Sequence, residues 1–315
     1  MKFNQIYELS DNPRILLSCG SKNWNSLVGD KSQKSYLLTH PMWYFSFSSL
    51  PLYLKMKRML KSKNIELIIL NNSKEEHRFA KLCGFRSYFI NQNLHVDEHT
   101  FRPINSDKIY DCVYTAQAAP FKRLHLAEKI NSLYIITFCK GIHRNPDGSY
   151  NIGMYEPRIK HAKCNETRIP STEVNVKLNQ SKCGLALSAK EGSMLAFVEY
   201  LLAGIPVVTT KSKGGRDLYF NKDFVTNVKA DSTEIKKAVD EIITKKINPE
   251  DIRSKTLKVM VSHRLKFYNL VNELRGESRK EESFESFSKK VWGASDSLEK
   301  LSVLDLQDDY AKVNK

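Results

Sequence analysis

Two glutamates of this sequence, Glu191 and Glu199, have the spacing of side chains that bind one ligand at two points. Glu191 precedes Gly192 and Ser193 in a predicted loop, and Glu199 lies in the helix predicted to follow it. The first N–H groups of a helix have no partner within it, so the start of this helix attracts phosphate. Because a helix rises about 1.5 Å per residue, the two carboxylates lie roughly 9–12 Å apart along its axis.

Two strands and a helix are predicted to position this loop. Residues 184–188 and 205–210 are short apolar runs typical of buried strands, and Pro206 lies where a missing N–H is tolerated. Residues 194–202 form an apolar helix with Gly204 just past its end. Together they predict a right-handed βαβ unit, which binds ligands beyond the first strand. A nucleotide diphosphate sugar has the reach to contact both carboxylates there.

A structural role is the alternative for both glutamates. Glu191 would then be a charge that the helix dipole favours, and Glu199 an exposed helix residue. However, Glu199 interrupts an otherwise apolar helix, where an unpaired carboxylate is costly. This position favours a ligand-binding role.

The run from Ser188 to Gly215 resembles the donor-site motif of the retaining GT-B glycosyltransferases of family 4 (glycosyl transferases group 1). The two glutamates of that motif correspond to Glu191 and Glu199. The motif also has a glycine after the first glutamate, a small residue in the helix, a Gly-x-Pro-Val-Val strand and a Gly-Gly pair. These features are matched in order by Gly192, Ala196, residues 204–208 and the Gly214–Gly215 pair. The resemblance implies an α/β chain of GT-B fold, with two Rossmann-like domains facing a cleft and a shorter N-terminal domain than usual. It also implies that Glu191 orients the donor sugar and that Glu199 holds the ribose hydroxyls.

Two basic residues, Lys122 and Arg123, lie at the start of a second predicted helix and resemble the basic diphosphate clamp of the family. Lysine binds phosphate as a point charge, and arginine can donate to two oxygens at once. Where the family commonly has a further arginine, this chain has Gln117. Either diphosphate binding is weaker or a later cation replaces the missing one. The candidates are Lys211, Lys213 and Arg216.

The resemblance also implies backbone contacts with the donor. Met194 and Leu195, together with Gly192 and Ser193, would direct N–H groups at the diphosphate. Ile169 lies in a turn that corresponds to the base-contacting segment of the family. The donor would be a sugar carried by UDP or GDP, with no metal or other cofactor.

Candidate acceptor residues lie in the N-terminal part, where the resemblance is poor. Gly20 and Ser21 end a strand predicted from Arg14, either as an acceptor loop or as an ordinary turn. His40 is a candidate by position, because related enzymes often have a histidine of the N-terminal domain near the reacting carbon. A structural histidine is the alternative.

A helix predicted up to about Lys63 has Ser49 as its N-cap and Pro51 in its first turn. Its apolar side carries Leu52, Tyr53, Met56, Met59 and Leu60, and its basic side carries Lys55, Lys57, Arg58, Lys61 and Lys63. Basic amphipathic helices are typical of membrane-surface elements. The alternative is a core-packing helix with a solvated basic back. The first interpretation predicts a lipid-linked or glycan acceptor and an anionic membrane surface as partners.

The composition excludes several classes of protein. Hydrophobic residues at 41% and charged residues at 27% indicate a globular protein, and no apolar run is long enough to span a bilayer. We see no secretory signal and therefore expect a cytoplasmic protein, peripheral at the inner membrane face if the basic helix binds lipid. The six cysteines lack metal-type spacing. The net charge of +15 permits polyanionic partners, but no nucleic-acid-binding motif is present.

The predicted elements divide the chain into three parts. Residues 1–109 form an acceptor-side domain, residues 110–262 form the donor-binding domain, and residues 263–315 form helices that return to the first domain and a partly disordered tail. The predicted function is retaining sugar transfer in surface glycan synthesis. The alternatives are another GT-B reaction, such as inverting transfer or sugar-nucleotide epimerisation, and a polyanion- or nucleic-acid-binding protein on a degenerate transferase scaffold.

Overall fold

A computed structural model describes residues 6–19, 24, 27–29, 33–138, 144–276 and 282–293. The chain divides into two compact units. Unit 1 contains Met1–Asp97 and Met260–Lys315, and unit 2 contains Glu98–Val259. Each unit is built on its own sheet. Among the described residues, no helix combines the length and the apolar character needed to cross a membrane.

Unit 1 has a five-stranded sheet whose strands follow one another in chain order. The strands are β1 (Ile6–Asp11), β2 (Arg14–Cys19), β3 (Ser35–His40), β4 (Ile65–Asn71) and β5 (Arg86–Phe89). β1 and β2 form an antiparallel hairpin, and the remaining neighbours are parallel. The sequence does not predict β1 and leaves the region of β3 unassigned. The helix predicted after Ser49 is confirmed as α1 (Leu50–Ser62), and α2 (Lys74–Leu82) follows β4.

Alternating side chains of the unit 1 sheet enter two different cores. Leu16 and Leu37 pack with Met56 and Leu60 of α1 on one face. The opposite face packs against the C-terminal helices α7 (Pro249–Arg275) and α8 (Phe284–Trp292). Helices on both faces explain why the central strands are apolar throughout instead of alternating with polar residues.

The sequence predicts a solvated helix or a partly disordered chain from Glu277 onward, and the structure corrects this over Phe284–Trp292. Helix α8 buries Phe287, Val291 and Trp292 against the unit 1 sheet. These three apolar residues have helical spacing and form one stripe, but the charged residues between them make the stripe hard to recognise in the sequence. Residues 294–315 lie outside the described part of the chain.

Unit 2 has a six-stranded parallel sheet in the order β11-β10-β9-β6-β7-β8. Its strands are β6 (Tyr110–Thr115), β7 (Leu133–Ile136), β8 (Lys163–Cys164), β9 (Ser181–Ala186), β10 (Val207–Thr210) and β11 (Val225–Val228). Its helices are α3 (Ile152–Tyr155), α4 (Ser171–Asn179), α5 (Leu195–Leu202), α6 (Ser232–Ile242) and the first part of α7. The strand order reverses between β6 and β9, which makes this the point where open α/β sheets bind ligands.

The boundary between the units follows Asp97, twelve residues before the predicted boundary after residue 109. Residues 98–109 contain no strand, yet hydrogen bonds attach them to unit 2. The Arg102 N–H donates to Asn175 Oδ1 at 3.1 Å, and the Ile104 N–H donates to Asn179 Oδ1 at 3.0 Å. The second boundary falls inside α7, after Val259.

Candidate functional site

Most of the predicted donor-binding residues lie at the carboxyl edge of the unit 2 sheet. β6, β9 and β10 are parallel, and β9 lies between the other two, so the segments that follow them meet at one edge. Lys122 and Arg123 follow β6, Glu191 follows β9, and Lys213 follows β10. This edge includes the position where the strand order reverses.

Lys122 and Glu191 form an ion pair at this edge. The Lys122 Nζ lies 2.7 Å from the Glu191 Oε1, and only 10% and 14% of the two side chains are exposed. Removing one partner of a pair this buried leaves the other charge uncompensated, which destabilises a fold. Because lysine is a compact cation on a flexible stem, it can exchange a carboxylate for a phosphate.

The chain around Lys122 corrects the predicted regular helix. It forms two 3-10 turns, Pro120–Lys122 and Leu124–Ala127. Arg123 between them has φ 49°, a left-handed conformation that a right-handed helix cannot include. The Tyr114 hydroxyl donates to the Lys122 carbonyl at 2.5 Å, and burial raises the pKa of Tyr114 well above its usual value. Tyr114, which sequence analysis missed, therefore fixes the backbone of Lys122.

Most of the Arg123 guanidinium is bound to the protein itself. Its Nε donates to the Leu187 carbonyl at 2.6 Å, and its Nη2 donates to Thr210 Oγ1 at 2.7 Å. Burial lowers the pKa of Arg123, but an arginine remains protonated at ordinary pH. Only Nη1 makes no hydrogen bond with a described residue. The Arg123 side chain therefore connects the segments that follow β6, β9 and β10. Among the donor groups that Arg123 brings to the predicted clamp, only its Nη1 group is left for a phosphate.

Arg216 is a second arginine that connects the segments after β9 and β10. It is buried, and its Nη1 donates to Ser188 Oγ at 2.9 Å. Its Nη2 donates to the carbonyls of Ser188 at 3.1 Å and Thr210 at 2.6 Å. Arg216 therefore does not replace the missing cation. Lys211 and Lys213 are exposed at the end of β10 and remain candidates for that role.

The loop that carries Glu191 is fixed against the segment after β10. The Glu191 N–H donates to the Lys213 carbonyl at 3.1 Å, and the Gly215 N–H donates to the Gly192 carbonyl at 2.7 Å. Gly214 has φ 141°, and a Cβ there would lie 2.5 Å from the Glu191 carbonyl oxygen. Only glycine fits this contact.

The helix after this loop begins later than the sequence predicts. α5 starts at Leu195, and Met194 before it has φ 52°. Gly192 and Ser193 form a buried bend that precedes the helix. The left-handed Met194 redirects the chain here, so the unpaired N–H groups of α5 begin at Leu195, one residue after the predicted helix start, and do not include Gly192 and Ser193.

Glu199 lies on α5 and is partly buried. Burial raises its pKa to about 7, and the Lys122 charge opposes this shift. Its carboxyl group accepts no hydrogen bond from a described residue. Both oxygens are therefore available to hydroxyl groups of a ligand.

Gln117 and Ile169 are partly buried, and the Gln117 side chain makes no hydrogen bond with the described residues. The turn that contains Ile169 follows Asn165, whose amide holds it to the end of β7. Asn165 Oδ1 accepts from the Thr137 N–H at 2.7 Å, and Asn165 Nδ2 donates to the Thr137 carbonyl at 2.7 Å. This pairing places the turn beside the carboxyl edge.

In unit 1, His40 is only 1% exposed. Its Nε2 lies 3.2 Å from the Nε2 of His95, and the Trp292 Nε1–H donates to His95 Nδ1 at 3.1 Å. A ligand cannot contact His40 in this conformation, so the structural alternative fits. Gly20 and Ser21 lie outside the described residues. Across the described part of the chain, no three His, Cys, Asp or Glu side chains are grouped to hold a metal ion.

Neither a family model nor a curated protein matches this sequence. Solved structures do match. Sucrose-phosphate synthase from Thermosynechococcus elongatus has a TM-score of 0.58 at 12% identity, over 79% of this chain and 70% of its own. HepE from Anabaena in complex with UDP has a TM-score of 0.56 at 14% identity, over 75% of this chain and 72% of its own. TarM from S. aureus has a TM-score of 0.53 at 17% identity, over 82% of this chain.

This chain spans 54% of TarM, about half of that protein's length. The three matching structures are glycosyltransferases of the GT-B type. The parallel sheet of unit 2 and the mostly parallel sheet of unit 1 agree with that architecture. The expected fold class is therefore confirmed, and this chain has the α/β GT-B fold with two Rossmann-like domains.

Proposed function

We propose that this protein is a glycosyltransferase that moves a sugar from a nucleotide diphosphate sugar to a glycan or lipid-linked acceptor. The observation that carries this proposal is the Lys122–Glu191 ion pair at the carboxyl edge of unit 2. Glu199, whose carboxyl group accepts no hydrogen bond from a described residue, lies on the helix that follows. The donor needs a cation for its diphosphate and acceptor oxygens for the hydroxyls of its two sugars, and these residues supply them.

Three groups would bind the diphosphate. Lys122 would exchange its contact with Glu191 for one with phosphate, Arg123 would offer its Nη1, and α5 would offer its first N–H groups. Negative charge grows on the diphosphate as its bond to the sugar breaks. Fixed donors stabilise this developing charge, which is how they lower the barrier.

The two glutamates would hold the two ends of the donor. After Lys122 turns to phosphate, Glu191 would accept hydrogen bonds from the transferred sugar and orient it, without acting as a nucleophile. Glu199 would accept from the ribose hydroxyls, and its ionised form has only acceptor sites to offer them.

The proposed transfer retains the anomeric configuration and uses no metal ion. The bond between the anomeric carbon and the diphosphate oxygen breaks, and an acceptor hydroxyl oxygen bonds to the same face of that carbon. The hydroxyl proton passes to the departing diphosphate. Lys122 and α5 would neutralise the charge that a divalent cation neutralises in other transferases.

The proposed donor class is a UDP or GDP sugar, and the structure of HepE with UDP favours UDP. We assign acceptor recognition to unit 1. Its basic helix α1 supports a location at the inner face of a membrane and a role in surface glycan synthesis.

Nucleotide binding by the purified chain tests this proposal. A ligand that binds only the folded state at about 100 times its Kd stabilises it by about 2.7 kcal/mol. We expect UDP or GDP and one of their sugars to raise the melting temperature equally with and without EDTA. The responding donor is then incubated with candidate acceptors, and the product configuration is determined by NMR.

Lys163→Ala is the control for Lys122→Ala, because Lys163 is exposed on β8. Lys122→Ala should lose the rise in melting temperature that the nucleotide causes, and Lys163→Ala should keep it. If no nucleotide shifts the melting temperature and nucleic acid binds with strong salt dependence, the polyanion-binding alternative replaces the proposal. Products with inverted anomeric configuration would support the glycosyltransferase activity but would contradict the retaining mechanism.

A further inference from the structure

Three exposed lysines lie beside the loop that carries Glu191. Lys190 immediately precedes Glu191, and Lys211 and Lys213 follow β10. We call these three residues the lysine cluster. The side chains of Lys211 and Lys213 make no hydrogen bond or ion pair with a described residue. The donor contacts proposed above do not require any of the three.

The backbone places two of these lysines opposite each other. Lys190 and Lys213 form a parallel bridge, in which the Lys213 N–H donates to the Ala189 carbonyl at 3.0 Å and the Glu191 N–H donates to the Lys213 carbonyl at 3.1 Å. Residues paired across neighbouring extended segments direct their side chains to the same side, where like charges repel each other. Lys211, two residues before Lys213, has the spacing of a side chain on that side. The fold therefore holds positive charges together.

Few acidic residues are present to offset these charges. Residues 188–216 contain four cations and only two acids, Glu191 and Glu199. Glu191 is bound to Lys122, and Glu199 lies on α5. A ligand that brings negative charge would relieve the repulsion within the lysine cluster.

We propose that the lysine cluster binds a carboxylate or phosphate group of an anionic acceptor glycan. Side chains alternate in direction along an extended segment. Because Glu191 points to Lys122, its neighbour Lys190 points away from this buried pair, where the donor would bind. Consecutive Cα atoms are about 3.8 Å apart, so the lysine cluster nevertheless borders the proposed reaction site.

Lysine side chains suit an anionic glycan. An ammonium group is a point charge with three donors on a flexible stem, so it binds carboxylate and phosphate without the fixed geometry that arginine requires. The inference rests on the proposed function and narrows its acceptor to an anionic glycan. It also adds a contact from unit 2 to the acceptor recognition assigned to unit 1.

A set of matched oligomers tests the inference on the full chain. Hexagalacturonate has one carboxylate on each sugar, its methyl ester has the same sugars without charge, and a glycerol phosphate oligomer supplies phosphate. Binding is measured by calorimetric titration at low and at high salt, with no nucleotide present. We expect at least one anionic oligomer to bind at low salt and the ester not to bind. High salt should weaken the binding, because it screens exposed charges.

Two triple variants separate the lysine cluster from general charge. The cluster variant is Lys190→Gln/Lys211→Gln/Lys213→Gln. The control variant removes three exposed cations elsewhere in unit 2 and is Lys237→Gln/Lys246→Gln/Lys258→Gln. Since an exposed charge pair changes affinity by up to about fivefold, the cluster variant should bind the anionic oligomer at least about tenfold more weakly. The control variant should bind it like wild type, and both variants should keep the nucleotide-induced rise in melting temperature.

Four results would overturn the inference. Neither anionic oligomer binds, or the two variants lose affinity equally, which would show that the lysine cluster is not a specific site. The cluster variant loses the nucleotide-induced rise in melting temperature, which would assign these lysines to the donor diphosphate. Duplex DNA binds more tightly than the oligomers and only the cluster variant loses this binding, which would identify nucleic acid as the ligand.

The nucleotide response of wild type is measured in parallel. If wild type responds to a nucleotide but binds no anionic oligomer, only the present inference fails. If wild type responds to no nucleotide, the proposed function itself fails, whatever the oligomers do.

Discussion

The carboxyl edges of the two sheets carry different chemistry. In unit 2 the edge holds a charged pair, with the Lys122 Nζ and the Glu191 Oε1 2.7 Å apart. In unit 1 it holds a histidine pair, with the Nε2 atoms of His40 and His95 3.2 Å apart. Both edges end parallel strands. The side chains, and not the direction of the strands, therefore distinguish the two edges.

The histidine pair is neutral because it is buried. Burial lowers the pKa of His40 to about 3 and lowers that of His95 well below its usual value. The hydrogen bonds then define where the protons lie. Trp292 donates to His95 Nδ1, so the Nε2 of His95 carries the proton and donates to His40.

This comparison assigns different tasks to the two edges. A diphosphate gains charge neutralisation from Lys122, whereas the histidine pair offers no positive charge at neutral pH. We therefore expect nucleotide affinity to depend on the edge of unit 2. Changes at the histidine pair should alter the stability of unit 1 and leave nucleotide affinity unchanged.

The largest effect is expected from Lys122→Ala. Loss of a fixed cation beside the breaking bond should lower kcat/KM by roughly 10²–10³-fold, through both a higher KM for the donor and a lower kcat. Steady-state kinetics with the donor identified by thermal stabilisation will measure this. A loss of less than tenfold would remove Lys122 from the proposed site.

A double variant separates this catalytic effect from instability. Lys122→Ala leaves Glu191 buried without its partner, so the single variant should also be less stable. Lys122→Met/Glu191→Gln removes both charges and should recover stability in urea denaturation. Its transferase activity should remain absent.

The next largest effect concerns Glu199. Because its pKa is about 7, Glu199 changes its protonation state near neutral pH. The protonated acid can donate and accept hydrogen bonds, whereas the carboxylate only accepts them. Nucleotide affinity should therefore weaken as the pH falls through 7. Glu199→Gln should cost about 1.5–3 kcal/mol of binding at pH 8 and should lose this pH dependence.

Calorimetric titration of wild type and Glu199→Gln at each pH checks this prediction. The difference between the two cancels the ionisation of the nucleotide phosphate itself. Glu173→Gln is the control, because Glu173 is exposed on α4. A pH dependence that persists in Glu199→Gln would assign it to another group.

The histidine pair should give unit 1 a specific acid sensitivity. In the unfolded chain His40 takes up a proton near pH 6.5, whereas in the folded chain it does so only near pH 3. The unfolded state therefore binds more protons between these values, and the contribution of His40 to stability is lost as the pH falls from about 6.5. The limit is about 1.4 kcal/mol per pH unit for one histidine.

Urea denaturation of wild type and His40→Gln between pH 8 and pH 5 tests this. The stability difference between them should shrink as the pH falls. A constant difference would mean that His40 has the same pKa in the folded and the unfolded protein. Nucleotide affinity at pH 8 should be the same in both proteins.

The smallest effects come from removing one hydrogen bond at each edge. Trp292→Phe removes the bond to His95, and Tyr114→Phe removes the bond to the Lys122 carbonyl. Each should cost about 1 kcal/mol of stability. Only Tyr114→Phe should also weaken nucleotide binding, because it releases the turn that positions Lys122. Equal nucleotide affinities would show that the edges do not differ in this way.

The sequence by itself predicts the elements that have a local pattern. The strand, helix and strand predicted around Glu191 and Glu199 are found as β9, α5 and β10. The GT-B fold is also confirmed. Because hydrophobic period and the glycine and proline positions are encoded within short segments, these elements could be recognised without tertiary information.

Local patterns do not determine which groups pair over long distances. Arg123 has the composition of a phosphate clamp, but its guanidinium is bound to residues 64 and 87 positions away. The sequence of helix α8 resembles a charged tail, yet its Trp292 donates a hydrogen bond to His95, which lies 197 positions earlier in the chain. The sequence determined several of the strands, the motif and the candidate charges of this protein. Only the tertiary structure decided which of those charges are paired, because burial and hydrogen bonding depend on segments that are distant in the chain.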